Sequence, residues 1–235
     1  MTALAFNAIV FDLDGTLIDS LPDVRAALNR VLVEDGRREV SLAEAQGMVG
    51  EGATALLELA LAATGEAVSG DTFDRLLARY LEFYRQSPAD LTVVYPGVFE
   101  VLEMLRAEGL RMGICTNKPE MMSNLALGAL GMSHLFSAVV GGDTLDFRKP
   151  DGRHVTAVLD RIGAHPASSV MVGDSQTDMR AARDAGLPVV AVAYGYSGVP
   201  PHELDADILI DGFGGLPDAL RRLGAALAGI AHGGK

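Results

Sequence analysis

The sequence has little of what defines several common protein classes. Its 235 residues include one cysteine, Cys115, so no disulfide forms within the chain, and this usage is typical of a reducing compartment. No apolar run approaches the ~20 residues that span a bilayer. No basic residue precedes the apolar stretch near the N-terminus, where a signal peptide would carry one. We therefore expect a cytoplasmic protein without a membrane segment.

Basic residues are also scarce. Lysine and arginine together number 19 against 31 acidic residues, which gives a net charge of −12. A protein of this charge repels nucleic-acid phosphates and anionic lipids, so we expect neither as a partner. Only three of the basic residues are lysines: Lys118, Lys149 and Lys235. A small phosphorylated metabolite stays compatible with the composition, because one metal ion or lysine reverses the local field.

The order of apolar segments predicts an α/β fold. A first strand spans Ala8–Phe11, and strands alternate with helices after about residue 92. Residues 20–91 show helical signals alone, including capping-box patterns at Ser20–Asp23 and Ser41–Glu44. We predict a doubly wound parallel-sheet (Rossmann-like) core of residues 1–19 and 92–235, with a small all-helical domain of residues 20–91 inserted. The five histidines show no ligand spacing, and we expect them on the surface or in loops.

Polar residues follow four of the predicted strands. In an open parallel sheet, ligands bind beyond the carboxyl ends of the strands, so these residues are expected to converge. The four strand exits read Asp12-Leu-Asp14-Gly-Thr16, Thr116-Asn117-Lys118, Arg148-Lys149-Pro150 and Gly173-Asp174 with Asp178 four residues later.

Carboxylates at two of these exits suit a divalent cation. Asp12 and Asp14 are two apart on an extended segment and point to the same side. A hard cation shared with Asp174 is expected to be Mg²⁺, which prefers oxygen ligands. Each feature also has a simpler interpretation: the two acids as a solvated Asp-Gly turn, Thr116 and Asp178 as helix caps, and Lys149 as a surface charge.

As a set, these exits resemble the four motifs of the haloacid dehalogenase-like hydrolase superfamily, in its chain order. Residues 20–91 look like that superfamily's small alpha-helical cap. The likeness covers nearly the whole chain, and five segments resemble its phosphoglycolate phosphatases: residues 12–24, 49–53, 173–186, 194–198 and 206–213.

The resemblance implies a magnesium-dependent phosphatase acting through an aspartyl-phosphate. Asp12 would be the nucleophile, and Asp14 would protonate the leaving alkoxide and later deprotonate the attacking water. Mg²⁺ would be held by Asp12, the backbone carbonyl of Asp14 and Asp174.

The resemblance also implies the residues that hold the transferring phosphoryl group. Thr116 and Lys149 would bind its oxygens, with Asn117 as a further substrate-binding residue, and Asp178 would act indirectly or through water. One departure stands out. Relatives usually show Lys-Pro-x-Pro, whereas here Lys149 is followed by Pro-Asp-Gly.

The expected substrate is 2-phosphoglycolate. Its carboxylate would need amides around Gly50–Gly52 or a cation such as Arg25, whereas Glu51 would repel it unless paired with an arginine or turned outward. A sugar-phosphate phosphatase or phosphomutase stays open, because cap residues decide the substrate. A phosphonate-cleaving relative would need a cap lysine, and residues 20–91 contain none.

A haloacid dehalogenase and a signalling receiver fit the sequence less well. A dehalogenase would not need Asp14 or the magnesium cluster. A phospho-accepting signalling receiver, from a different class, shares the acids, threonine and lysine but would lack the inserted helical block. The sequence does not indicate an oligomeric state.

Overall fold

The computed structural model describes residues 4–233, with side chains through residue 229. No helix within these residues is both long and apolar enough to cross a membrane. The strands are β1 (Ala8–Phe11), β2 (Ile18–Asp19), β3 (Val93–Val94), β4 (Arg111–Cys115), β5 (Ala138–Val140), β6 (Ser169–Gly173), β7 (Val189–Val192) and β8 (Ile208–Ile210). The helices are α1 (Leu21–Glu34), α2 (Leu42–Gln46), α3 (Ala53–Thr64), α4 (Asp71–Gln86), α5 (Val98–Ala107), α6 (Glu120–Ala129), α7 (Gly152–Ile162), α8 (Gln176–Asp184) and α9 (Leu216–Gly233).

Six strands form one parallel sheet in the order β5-β4-β1-β6-β7-β8. The central strand β1 is buried on both faces because successive side chains point to opposite sides. Ile9 and Phe11 join one hydrophobic cluster, and Ala8 and Val10 join the other. The predicted doubly wound α/β core is confirmed.

Helices α1–α4 pack around a separate hydrophobic cluster that includes Leu28, Leu57 and Phe83. The chain enters this helical block through β2 and returns through β3. These two strands pair antiparallel, with Ile18 opposite Val94. The sequence did not predict this ribbon, because strands of two residues are too short to show a period.

The two predicted capping boxes have different outcomes. At α2 the Ser41–Glu44 box is confirmed, with both reciprocal hydrogen bonds present. At α1 the prediction is wrong, because Ser20 makes no side-chain cap and its hydroxyl instead donates to Asp14. Asp23 accepts from the backbone N–H groups of Leu91 and Thr92. Distant partners thus replace the local cap that the spacing indicated.

The surface prediction for the histidines is wrong for His154. This side chain is fully buried on α7, whereas His134, His165 and His202 are exposed, and the side chain of His232 lies outside the described part. His154 Nε2 lies 3.0 Å from the Gly141 carbonyl and therefore carries the proton, which leaves Nδ1 to accept from Cys115 Sγ at 3.3 Å. Burial lowers the pKa of His154 to about 4.

Candidate active site

The carboxyl edge of the sheet brings the predicted site residues together. Asp12 follows β1 and Asp174 follows its neighbour β6, while Thr116 follows β4 on the other side of β1. The ladder continues past β1, since the Asp12 N–H donates to the Val172 carbonyl at 2.9 Å. One cavity is lined by all six candidates: Asp12, Asp14, Thr116, Asn117, Lys149 and Asp174.

Two glycines allow the backbone to pass close to the Asp174 carboxylate. At Gly15, which has φ +85°, a Cβ atom would lie 2.5 Å from Asp174 Oδ2. At Gly195 a Cβ atom would lie 2.2 Å from Asp174 Cβ. Any larger residue would therefore push this carboxylate aside, and Gly15 also needs a backbone conformation that L-residues rarely adopt.

Three buried carboxylates lie together, and two of them contact one buried ammonium group. Oxygens of Asp12, Asp174 and Asp178 lie within 4.8 Å of one another. Lys149 Nζ is 2.8 Å from Asp12 Oδ1 and 2.6 Å from Asp178 Oδ1, and its side chain is 2% exposed. If all three acids ionise, the cluster keeps two negative charges more than Lys149 compensates.

Burial and this excess of negative charge shift the pKa values of Asp12, Asp174 and Lys149. Burial and the Asp178 carboxylate raise the pKa of Asp12 to about 7, although Lys149 acts in the opposite direction. Burial, with Asp178 and Asp12, raises the pKa of Asp174 well above its usual value. Burial alone would lower the pKa of Lys149, but the carboxylates of Asp12 and Asp178 outweigh it and raise that pKa.

The donor set fits a hard divalent cation. Its members are carboxylate oxygens, which Mg²⁺ prefers, and a divalent charge balances the excess of the cluster. Asp178 is the least available member. Its Oδ1 contacts Lys149, and its Oδ2 accepts from the N–H groups of Asp174 and Ser175 and from the Ser175 hydroxyl. The geometry therefore favours Asp12 and Asp174 as side-chain ligands, with Asp178 holding Lys149 in place.

Asp14 lies at the edge of the cavity between two partners that the sequence analysis did not assign. Lys118 Nζ is 2.9 Å from Asp14 Oδ1 and 3.1 Å from Oδ2, and the Ser20 hydroxyl donates to Oδ1 at 2.5 Å. Burial lowers the pKa of Lys118, but Asp14 and Tyr84 raise it by more, so the net pKa is above its usual value. Two sequence signals could have identified Lys118: the scarcity of lysine and its position at the exit of β4.

The loop after β4 makes a hydrogen bond between the core and the helical block. Thr116 is buried at the cavity, and its hydroxyl accepts from the Lys118 N–H at 3.2 Å. Asn117 donates its amide hydrogens to the carbonyls of Gly50 (3.0 Å) and Lys149 (3.1 Å). The amide of Asn117 thereby positions two loops, and its contact with substrate stays a prediction.

The sequence analysis left the surroundings of Glu51 and Arg25 open. Glu51 is exposed, and its Oε1 accepts from the Thr177 hydroxyl at 2.9 Å, with no arginine among residues 4–229 paired to it. Arg25 is half-buried and does not line the cavity. Within residues 4–233 the cavity, of about 220 Å³, has Lys118 and Lys149 as its cationic side chains and no arginine.

Tyr196 links the acidic cluster to the start of α1, and the sequence analysis missed it. Its backbone N–H donates to Asp174 Oδ2 at 2.7 Å. Its hydroxyl donates to Asp19 Oδ1 at 2.6 Å and accepts from the Leu21 N–H at 3.1 Å. No short motif reveals such a contact, because it joins residues more than 170 positions apart.

Comparison with known proteins identifies the family of this chain. The model of the haloacid dehalogenase-like hydrolase family matches residues 9–192. A phosphoglycolate phosphatase of Rhodospirillum rubrum is 44% identical over 218 residues, covering 91% of this chain and 90% of that protein. One from Cereibacter sphaeroides is 42% identical over 215 residues, covering 92% and 98%.

A solved structure gives the same result. The crystal structure of a predicted phosphoglycolate phosphatase from Haemophilus somnus superposes with a TM-score of 0.87 at 32% identity. The match covers 93% of this chain and 99% of that one. With these relatives and the family model in agreement, the chain belongs to the haloacid dehalogenase-like hydrolases and, within them, to the phosphoglycolate phosphatase family.

Proposed function

We propose that the chain hydrolyses a small phosphate monoester, 2-phosphoglycolate above others, through an aspartyl-phosphate. One observation carries the proposal: Asp12 lies at a sheet edge with its Oδ1 2.8 Å from Lys149, inside an acidic cluster that faces a cavity. A carboxylate nucleophile splits a very slow displacement into two easier steps.

Each step assigns a task to a side chain of the site. A carboxylate oxygen of Asp12 forms a bond to phosphorus while the alkoxide leaves with a proton from Asp14. Asp14 then takes a proton from the water that attacks phosphorus, and the bond to Asp12 breaks as phosphate departs. Lys149, 2.8 Å from Asp12, offsets the charge of the transferring oxygens, and Thr116, which is buried at the cavity, donates to them.

Mg²⁺ is the cofactor that we propose. Held by Asp12, the Asp14 backbone carbonyl and Asp174, it would reduce the repulsion between the Asp12 carboxylate and the substrate phosphate. The excess of buried negative charge supports this assignment, because the cluster without a cation raises the pKa of Asp12 to about 7.

The choice of substrate rests on the relatives and on the size of the cavity. The relatives from R. rubrum and C. sphaeroides are named phosphoglycolate phosphatases. A cavity of about 220 Å³ between the sheet edge and helices α3 and α4 suits a small ester better than a polymer. We assign residues 20–91 as a cap that excludes water from the reacting centre, and residues 1–19 and 92–235 as the core.

A panel of phosphate esters tests the proposal. The purified protein is assayed on 2-phosphoglycolate, hexose phosphates, a nucleotide and p-nitrophenyl phosphate, with Mg²⁺ and with excess chelator. We expect the highest kcat/KM for 2-phosphoglycolate and loss of turnover in chelator. A hexose phosphate that is better by tenfold, or about 1.4 kcal/mol, would overturn the substrate. Full turnover in chelator would overturn the role of the metal.

A further inference from the structure

The cavity is lined by a second ammonium group, that of Lys118, which the proposed phosphoryl chemistry does not use. Lys149 is engaged by Asp12 and Asp178, whereas Lys118 lies on the other side of Asp14. The Lys118 side chain is 7% exposed, and its Nζ lies 4.6 Å from the centre of the Tyr84 ring. An ammonium group has three donors, so contact with Asp14 leaves at least one for another acceptor.

Tyr84 places a second donor beside this ammonium group. The residue lies on α4, is 2% exposed and lines the cavity. Its buried hydroxyl makes no well-formed hydrogen bond to a described residue, and the Lys118 ammonium is the charged group that interacts with it. Since buried hydroxyl groups normally have a partner, this one is available to a ligand oxygen.

We propose that Lys118 and Tyr84 form a carboxylate subsite that selects substrates with a small anionic leaving group. The inference rests on the proposed function and names the residues that recognise the glycolate half of the substrate. A carboxylate accepts one hydrogen bond from Lys118 Nζ and another from the Tyr84 hydroxyl, so it satisfies both groups at once. No arginine lines the described cavity to compete for this role, and Glu51 is held by Thr177.

Lys118 comes from the core and Tyr84 from the helical block. A carboxylate bound between them therefore requires both parts of the chain to be in place. An ester without this carboxylate would still reach Asp12 and Lys149, but it would leave the Tyr84 hydroxyl unpartnered. Discrimination arises because a site with buried polar groups rejects a ligand that leaves them unpaired.

A matched pair of substrates tests the subsite. 2-Phosphoglycolate and its amide, carbamoylmethyl phosphate, have nearly the same size and differ in the charge of the leaving group. We expect the wild type to prefer the carboxylate, and Lys118→Met to reduce that preference by ~10–100-fold, as for the loss of a hydrogen bond to a charged group. Tyr84→Phe keeps the ring and is expected to reduce the preference by roughly tenfold. Lys118→Arg keeps the charge, so this variant should retain most of the preference for the carboxylate.

The ratio of kcat/KM for 2-phosphoglycolate to kcat/KM for its amide separates carboxylate binding from a structural role. A variant that only disturbs Asp14 or the packing of α4 lowers kcat/KM for both esters equally, and that result would overturn the inference. So would a wild type with no preference for the carboxylate. If Lys118→Met does not fold, as judged by circular dichroism, Tyr84→Phe and Lys118→Arg decide the question.

Failure of the proposed function gives a different result. A wild type that hydrolyses a hexose phosphate better than 2-phosphoglycolate contradicts the proposed substrate. The subsite still stands in that case if the carboxylate ester is preferred to the amide and Lys118→Met removes the preference.

Discussion

At the scale of the residue, the position of Asp12 has a cost in stability. Its pKa is raised to about 7 by burial and by Asp178, so its ionised form is disfavoured where it lies. We expect Asp12→Asn to abolish turnover and, in chelator at pH 8, to unfold at a temperature no lower than the wild type. Asp14→Asn should lower kcat by ~10²–10⁴-fold. Steady-state kinetics and thermal scans measure both effects, and near-normal turnover of Asp12→Asn would contradict its assignment as nucleophile.

His154 predicts a stability that depends on pH. Its pKa is lowered from 6.5 to about 4 in the folded state, so the unfolded chain binds the proton more tightly. Its contribution to the free energy of unfolding is therefore complete above about pH 6.5 and is lost as the pH falls towards 4. In urea titrations between pH 4 and 7, the slope of the free energy of unfolding against pH should be more positive for the wild type than for His154→Gln. Equal slopes would show that His154 is not buried in its neutral form.

The sequence predicted Asp12 and Asp174 because their position at the ends of strands is visible in the sequence. Asp12 and Asp174 directly follow buried strands, and parallel strands bring their carboxyl ends to one edge. Tyr196 and Tyr84 could not be predicted in this way, since packing between distant elements brings Tyr196 to its partners and Tyr84 to the cavity. Gly152 occupies the position where relatives usually have the second proline of Lys-Pro-x-Pro. Packing explains the glycine, because a Cβ atom there would lie 2.5 Å from the Ala185 backbone nitrogen.

At the scale of the element, Asp23 fastens α1 to the segment that precedes β3. Its carboxylate is 3% exposed and accepts from the N–H groups of Leu91 and Thr92 and from the Thr92 hydroxyl. Asp23→Ala leaves these donors without an acceptor, and we expect it to lower the free energy of unfolding by about 2–4 kcal/mol. Equilibrium urea denaturation provides the measurement.

Asp23→Asn is the matched control for this contact. It keeps one acceptor oxygen and nearly the same volume, so its loss of stability should be clearly smaller than that of Asp23→Ala. Equal losses in the two variants would mean that packing of α1, rather than hydrogen bonding to residues 91–92, accounts for the effect.

The elements themselves were predictable to different degrees. The bounds of β1 and β5 agree with the apolar runs of the sequence, and β1 is buried along its whole length, which requires continuous apolar residues. The start of α1 agrees as well, although its expected capping box does not form. Spacing shows which residues have the capability to cap a helix. It does not show that Ser20 and Asp23 have stronger partners elsewhere.

At the scale of the whole molecule, the acidic cluster links stability to metal and pH. Without a cation, the raised pKa values of Asp12 and Asp174 mean that the folded state binds protons more tightly than the unfolded chain. The contribution of this cluster to the free energy of unfolding should therefore fall as the pH rises from about 4 to 7 in chelator, opposite in sign to the contribution of His154. Mg²⁺ at a hundredfold Kd should restore about 2.7 kcal/mol at pH 7.

Calorimetry with Mg²⁺ and with chelator measures this linkage. Asp174→Asn is the matched control, since it removes a proposed ligand and one of the raised pKa values together. We expect Mg²⁺ to shift the Tm of this variant far less than that of the wild type. An equal shift would place the cation elsewhere on the protein.

The ribbon of β2 and β3 has a consequence for how this chain can evolve. Ile18 and Val94 are paired across the ribbon, so the chain leaves the core and rejoins it at almost the same point. To the six-stranded sheet, the 73 intervening residues 20–92 amount to one long surface loop, and lengthening such a loop costs little closure entropy. We therefore expect that the block between the two strands can be replaced as a unit. We expect a chimera joined at these two positions to change the leaving-group preference set by Tyr84 and to keep the phosphoryl chemistry proposed for the core.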